Sequence, residues 1–170
     1  MSETFHLKLS KKDLVFSAAH FITFCGNVCE RLHGHNYGVE VELSGTLDEN
    51  YYLVDFIALR GYLDKIVTSL DHYMLLPTQH PKILVHKKED EVEVTFEEKR
   101  WLFPADNCRL LPIENTTAEL LASYVGNELW NAFSINERKA LTRCSVGIDE
   151  NNGQWGFWEK KPSLQDTPTS

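Results

Sequence analysis

His33 and His35 stand two residues apart in the segment CERLHGHNY, and His20 closes the earlier segment VFSAAH. On an extended strand, residues i and i+2 project to the same face, so both imidazoles of the HGH pair can converge on one ion. A third nitrogen from His20 would complete the donor set of a catalytic zinc centre, which keeps a fourth position open for water or substrate. Taken alone, an HxH pair describes two surface histidines; the third histidine, at the end of a neighbouring strand, turns the reading to metal. Cys29 lies shortly before His33. It offers either a fourth ligand, closing the centre as a structural one, or a nearby base whose thiol the cation acidifies. An extended backbone through 29–35 would put Cys29, Arg31, His33 and His35 on one face and turn Glu30 away, whereas a one-residue bulge would exchange the faces. Asp71 and His72 form a second pair. A carboxylate beside an imidazole suits general acid–base work, and the same dipeptide also suits a helix C-terminus, where a histidine is favourable.

These residues need elements to position them. Phe5 to Ala19 reads as a strand or a bent hairpin arm, and Tyr37 to Leu47 alternates Val39, Val41 and Leu43 with Glu40, Glu42 and Ser44, the period of a half-buried antiparallel strand. Phe56, Leu59, Leu63, Ile66, Val67 and Leu70 recur at helical spacing behind an N-cap at Asp55, predicting a helix that ends near Asp71 and His72. The stretch 81–104 has two alternating arms around a polar centre and is read as an inserted β-hairpin. A second helix follows over NTTAELLASYVGNELWNAF, with Thr116 and Glu119 in capping-box spacing. RCSVGI and GQWGFWE then read as two strands around the turn DENNG. This order predicts an α+β fold, an antiparallel sheet with two helices on one face, as a single domain over 1–160 with a disordered polar tail over 161–170.

The chain has 170 residues, enough for one cored domain, and a formal net charge of −8. That balance argues against nucleic acid as a partner. No stretch reaches the length of a membrane span, and the N-terminus lacks the charged and apolar regions of a signal peptide, so a cytoplasmic protein without membrane partners is expected. Cys25, Cys29, Cys108 and Cys144 are then expected as thiols, Cys108 and Cys144 as apolar fillers and Cys25 as structural.

The set FSAAH, CERLHGHNY, VDF, LDH and NTTAELL, in this order, resembles the 6-pyruvoyltetrahydropterin synthase / 6-carboxytetrahydropterin synthase family from about Phe16 to Trp158, apart from the insertion. The resemblance implies a tunnelling fold (T-fold) and a homohexamer, a dimer of trimers, with active sites between subunits. An alternating strand set with only two covering helices also leaves edges that need partners. The resemblance further implies Zn²⁺ held by His20, His33 and His35, Cys29 as general base, and Asp71 with His72 as a dyad reaching across an interface. The implied substrate is 7,8-dihydroneopterin triphosphate. The spacing C-x-x-x-H-G-H resembles the bacterial 6-carboxy-5,6,7,8-tetrahydropterin synthase branch, which serves queuosine and other 7-deazapurines and releases acetaldehyde and triphosphate. Glu30 also supplies E-x-x-H-G-H, which resembles a branch forming the folate precursor 6-hydroxymethyldihydropterin; the pyruvoyl-forming branch has a longer gap. The family's pterin-anchoring glutamate aligns with Ile148, so Glu150, two residues on and facing the same side, is assigned the anchor, with Asp149 second. Thr116 and Thr117 match the family's pocket segment. Two other readings stand beside this one: a zinc hydrolase, which has no use for Cys29, and a non-enzymatic zinc module, with Cys29 as closing ligand.

Overall fold

In a computed structural model of the chain, which describes residues 3–26 and 28–162, the elements run β1 (Phe5–His20), β2 (Thr23–Phe24), β3 (Val28–Cys29), β4 (His33–Gly45), α1 (Phe56–Leu70), β5 (Tyr73–Pro77), β6 (Leu84–Lys87), β7 (Glu91–Phe96), β8 (Lys99–Pro104), β9 (Cys108–Leu111), α2 (Ala118–Ala132), α3 (Ile135–Ala140), β10 (Leu141–Asp149) and β11 (Trp155–Lys160). Most of the expected tail, from residue 163, lies outside the described residues. The main sheet has the order β11-β10-β4-β1-β5-β9. The pairings among β11, β10, β4 and β1 are antiparallel, as the alternation predicts. β5 and β9 correct the purely antiparallel expectation: β5 runs parallel to β1, and β9 parallel to β5. β5 is a short apolar run buried in the sheet, and β9 is a four-residue edge strand with only Leu111 buried; neither carries a period-2 signal to read.

β1 and β4 set the frame of the site. Their register runs from Phe5 opposite Gly45 to His20 opposite His33, with an irregularity between Ser10 and Val15. There, five residues of β1 advance against two of β4, so β1 changes parity while β4 does not. Leu14, Phe16, Ala18 and His20 therefore share the face of Tyr37, Val39, Val41 and Leu43. On this face α1 contributes Leu59, Leu63 and Leu70, and α2 contributes Leu121, Val125 and Leu129, all fully buried. Each of the six removes roughly 2 kcal/mol worth of apolar surface from water. The opposite face is charged: Lys8 pairs with Glu40 and Glu42, and Arg143 with Glu42 and Glu159.

Asp55 caps α1 as predicted, accepting the N–H groups of Ile57 and Ala58. The cap of α2 falls one residue later than expected. Thr117 accepts the Leu120 N–H, while the Thr116 side chain is buried and its hydroxyl donates to the Phe21 carbonyl. The capping box that does form, Ser134 with Glu137, opens α3, a short helix absent from the sequence reading. The insertion is also richer than a hairpin. It is a three-stranded antiparallel sheet, β6-β7-β8, with a core of its own in which Ile83, Val92, Val94 and Phe96 join Phe21, Cys29, Met74 and Leu76. It lies between β5 and β9, so it supplies the crossover that their parallel pairing requires.

The start of α2 is held tightly against β11. A Cβ on Gly156 would meet the Ala118 carbonyl carbon and the Glu119 nitrogen at 2.6 Å. Backbone cannot yield as a side chain can, so Gly156→Ala is expected to destabilise the fold by about 2 kcal/mol. Urea unfolding should show a lower midpoint with an unchanged m-value.

Candidate metal centre and its surroundings

His20 ends β1 and His33 begins β4, so their pairing brings the imidazoles together at the end of the core; His35 follows on the same face. The three ligand atoms lie within 4.8 Å of one another. His20 is buried, and its Nδ1 meets the Thr116 carbonyl at 2.9 Å. His33 Nδ1 meets the Arg31 carbonyl at 2.8 Å. Carbonyls only accept, so both Nδ1 atoms carry hydrogen, and in the neutral form of each ring Nε2 presents a lone pair. Those two Nε2 atoms face each other at 3.2 Å. Burial, with repulsion from His33 and His35, pushes the His20 pKa down to about 4, which leaves its Nε2 lone pair available to a cation. Two ring nitrogens facing each other beside a third imidazole suit a shared cation. The carbonyl that orients each ring is the outer support that metal-ligating histidines ordinarily have. The Tyr37 hydroxyl adds a further sign of fit. It is buried without a hydrogen-bond partner among the described residues, and its ring packs edge-on to His20 and His35. An oxygen bound at the ion's open position would fit its unused donor. The sequence held this signal, since Tyr37 continues the His33, His35 alternation.

The two candidate bases are placed the other way round from the extended-chain expectation. Residues 30–32 belong to no strand. Cys29 pairs with Thr23 in a two-residue strand, is 7% exposed and packs into the core beneath the insertion. Its Sγ points to the Glu30 carbonyl at 3.5 Å, and burial pushes its thiol pKa up. Glu30 turns instead to the histidines, with its carboxylate 3.9 Å from His33 Nε2. Among the described residues the cluster of possible ligands contains only the three histidines, so Cys29 does not close it.

Glu150 also reaches the cluster, with Oε1 3.6 Å from His20 Nε2, and burial pushes its carboxyl up. It lines a cleft of about 280 Å³ with Ile22, Thr117, Glu119, Gln154 and Trp155. Asp149, the second anchor candidate, is committed to the turn: its carboxylate accepts the N–H groups of Asn151, Gly153 and Gln154. Thr116 has its hydroxyl on Phe21 and its carbonyl on His20, which makes it a support for the cluster.

Asp71 and His72 form the expected pair, carboxylate to Nδ1 at 2.8 Å. Asp71 also accepts the Ser17 N–H at 2.8 Å, the main reason its carboxyl lies below the usual range. His72 takes a positive φ of 63° and donates its N–H to the Ser17 carbonyl, which leaves its side chain 81% exposed. Beside it opens a cleft of about 650 Å³ whose lining includes Ser17, Ala19, Gly34, Asn36 and also His35 of the triad. Alternation puts Ser17 and Ala19 on the sheet face opposite His20. Among the described contacts, the pair and the triad of one chain do not touch.

Residues 8–161 match the family described as 6-pyruvoyl tetrahydropterin synthase. The chain belongs to that family. A relative from Methanocaldococcus jannaschii, named a putative 6-carboxy-5,6,7,8-tetrahydropterin synthase, is 32% identical over 148 residues, 86% of this chain and 90% of its own. The crystal structure of 6-pyruvoyl tetrahydropterin synthase from Plasmodium vivax superposes with a TM-score of 0.88 at 26% identity, covering 95% of this chain and 100% of that one. A second structure of the Plasmodium vivax enzyme carries alanine in place of a glutamate described as catalytic; it is 25% identical over the same shares, with a TM-score of 0.87. The fold is therefore the T-fold of this pterin synthase family. No described helix is long and apolar enough to cross a membrane.

Proposed function

We propose that the chain is a zinc-dependent 6-carboxy-5,6,7,8-tetrahydropterin synthase, converting 7,8-dihydroneopterin triphosphate to 6-carboxytetrahydropterin, acetaldehyde and triphosphate for 7-deazapurine (queuosine) biosynthesis. The observation that carries the metal is the pair of Nε2 atoms facing each other at 3.2 Å beside a third imidazole. Three nitrogen ligands with an open position suit zinc. Zinc bound there supplies Lewis-acid polarisation of the substrate's side-chain oxygens. The carboxy product rests on the names of relatives such as that from Methanocaldococcus jannaschii.

The chain's own groups have the following roles in this reading. Glu30 accepts the side-chain proton, because its carboxylate is the base on the histidine side; this replaces the thiol expected from sequence. Glu150 binds the guanidine-like edge of the pterin, with Thr117 in the same cleft. Asp71 orients the exposed His72, which moves a second proton. Since that pair makes no contact with the triad of its own chain among the described contacts, it serves the triad of a neighbouring subunit. A homohexamer, a dimer of trimers joined at the open edges β9 and β11, provides such neighbours. Light scattering should give a mass well above the 19.6 kDa of one chain; a monomer at micromolar concentration rules the assembly out.

A second reading is favoured by one observation, the inward Glu30. The Plasmodium vivax neighbour has a glutamate as catalytic residue, and a glutamate base resembles the branch that forms 6-hydroxymethyldihydropterin. Mass identification of the product made by metal-loaded protein from 7,8-dihydroneopterin triphosphate separates the two. A 6-carboxy product supports the first reading; 6-hydroxymethyldihydropterin alone overturns it for the second.

A further inference from the structure

The inserted sheet does more than bridge β5 and β9. Its hairpin β7–β8 turns at Glu97, which has a φ of 51°, and pairs Phe96 with Lys99. The Lys99 ammonium donates to the Cys29 carbonyl at 3.0 Å. On the other side of the same peptide group, the Glu30 N–H donates to the Ile22 carbonyl at 2.9 Å. Two strand positions further on, Trp101 stacks on Phe21, with ring centroids 4.7 Å apart and planes at 22°. Phe21 directly follows the ligand His20.

The peptide that joins the two candidate bases is thus gripped at both of its polar atoms. These two hydrogen bonds anchor the segment that carries both side chains and fix its position relative to β1 and the inserted sheet. Gripped as it is, the thiol lies in the core under the insertion, and the carboxylate lies 3.9 Å from His33. Loss of this anchor would let the segment shift, moving the carboxylate off the histidines and loosening the packing over the thiol.

We propose that Lys99 is a positioning residue through which the inserted sheet holds the Cys29–Glu30 peptide, keeping Glu30 turned to the histidines and Cys29 turned away. This rests on the reading of Glu30 as proton acceptor in the pterin synthase reaction. Lys99 itself is exposed and stays outside the reacting atoms, so its removal should leave the global fold intact.

The test compares metal-loaded wild type, Lys99→Met and Lys99→Arg by two readouts. One is the iodoacetamide alkylation rate of each cysteine, resolved by peptide mapping, with fully buried Cys144 as the internal control for global opening. The other is the separation of kcat from KM with 7,8-dihydroneopterin triphosphate. Lys99→Met should alkylate at Cys29 about fivefold faster, the equivalent of one lost hydrogen bond, with Cys144 unchanged. Its kcat should fall about tenfold with KM within about twofold, as expected for a misplaced catalytic group. Lys99→Arg should restore both. Unchanged alkylation at Cys29 overturns the proposal even if kcat or KM moves, because Lys99 would then act on the substrate's phosphates directly. Faster alkylation with unchanged kcat also overturns it, as does an equal rise at Cys144. If the wild type does not turn over this substrate, the reading of the reaction fails while the alkylation arm still decides whether Lys99 grips the loop.

Discussion

Glu30→Ala is expected to lower turnover of 7,8-dihydroneopterin triphosphate about a thousandfold, and Cys29→Ala by no more than about fivefold. The ratio follows from placement. Glu30 presents its carboxylate to His33 at 3.9 Å, while Cys29 is buried among Phe21, Met74 and Ile83 with its thiol pKa pushed up. The thiolate is the form that takes a proton, so a thiol whose pKa rises loses the reason to prefer it. Cys29→Ala removes a small apolar filler, and its cost belongs to packing more than to chemistry. Rates should be taken at saturating substrate with zinc content measured on each variant, so that loss of metal is not mistaken for loss of a base. The reverse order, with Cys29→Ala inactive and Glu30→Ala near normal, would restore the thiol to the role the sequence suggested and imply that the segment carrying Cys29 rearranges when substrate binds.

His33→Ala should weaken zinc binding by more than about a hundredfold, above the usual cost of losing an outer-shell partner of a metal ligand. Two rings cannot supply the three nitrogens the site needs, and the Arg31 carbonyl loses the N–H it accepts. His72→Ala is the matched control. Its imidazole is exposed and belongs to no ligand cluster among the described residues, so zinc affinity should stay within about threefold of wild type. Competition against a chromophoric chelator measures both variants. A thermal scan adds a second check, because an ion that binds only the folded chain raises Tm with concentration. Zinc should raise Tm for wild type and His72→Ala and leave His33→Ala unmoved. Equal affinity for all three proteins would remove the histidine cluster as the metal site.

Much of the fold was legible because local patterns coincide with burial. The alternation of Val39, Val41 and Leu43 marks β4 because every other residue faces the helices. Asp55 and the spacing from Leu59 to Leu70 mark α1 because a short acceptor and an apolar stripe both act within one helix. The histidine cluster was legible for the same reason: His33 and His35 share a face by parity alone, and His20 ends the strand that pairs with theirs. Four features lay outside the reach of local pattern. β5 and β9 are parallel strands whose partners are distant in sequence, and their short runs carry no period. The cap of α2 moved to Thr117 because Thr116 is drawn inward by the carbonyl of Phe21 and by the ring of His20, contacts made across more than ninety residues. The bulge between Ser10 and Val15 sets the parity that delivers His20 to the core face, and neither its size nor its place follows from composition. The choice between Cys29 and Glu30 is the sharpest case. The two are neighbours on one chain, so sequence could name both but could not orient the peptide between them. Its carbonyl is held by Lys99, seventy residues away on an inserted sheet, and its N–H by Ile22 on the strand-end loop. Residue types determined which groups were available to do chemistry; long-range hydrogen bonds and packing determined which of them face the same point in space.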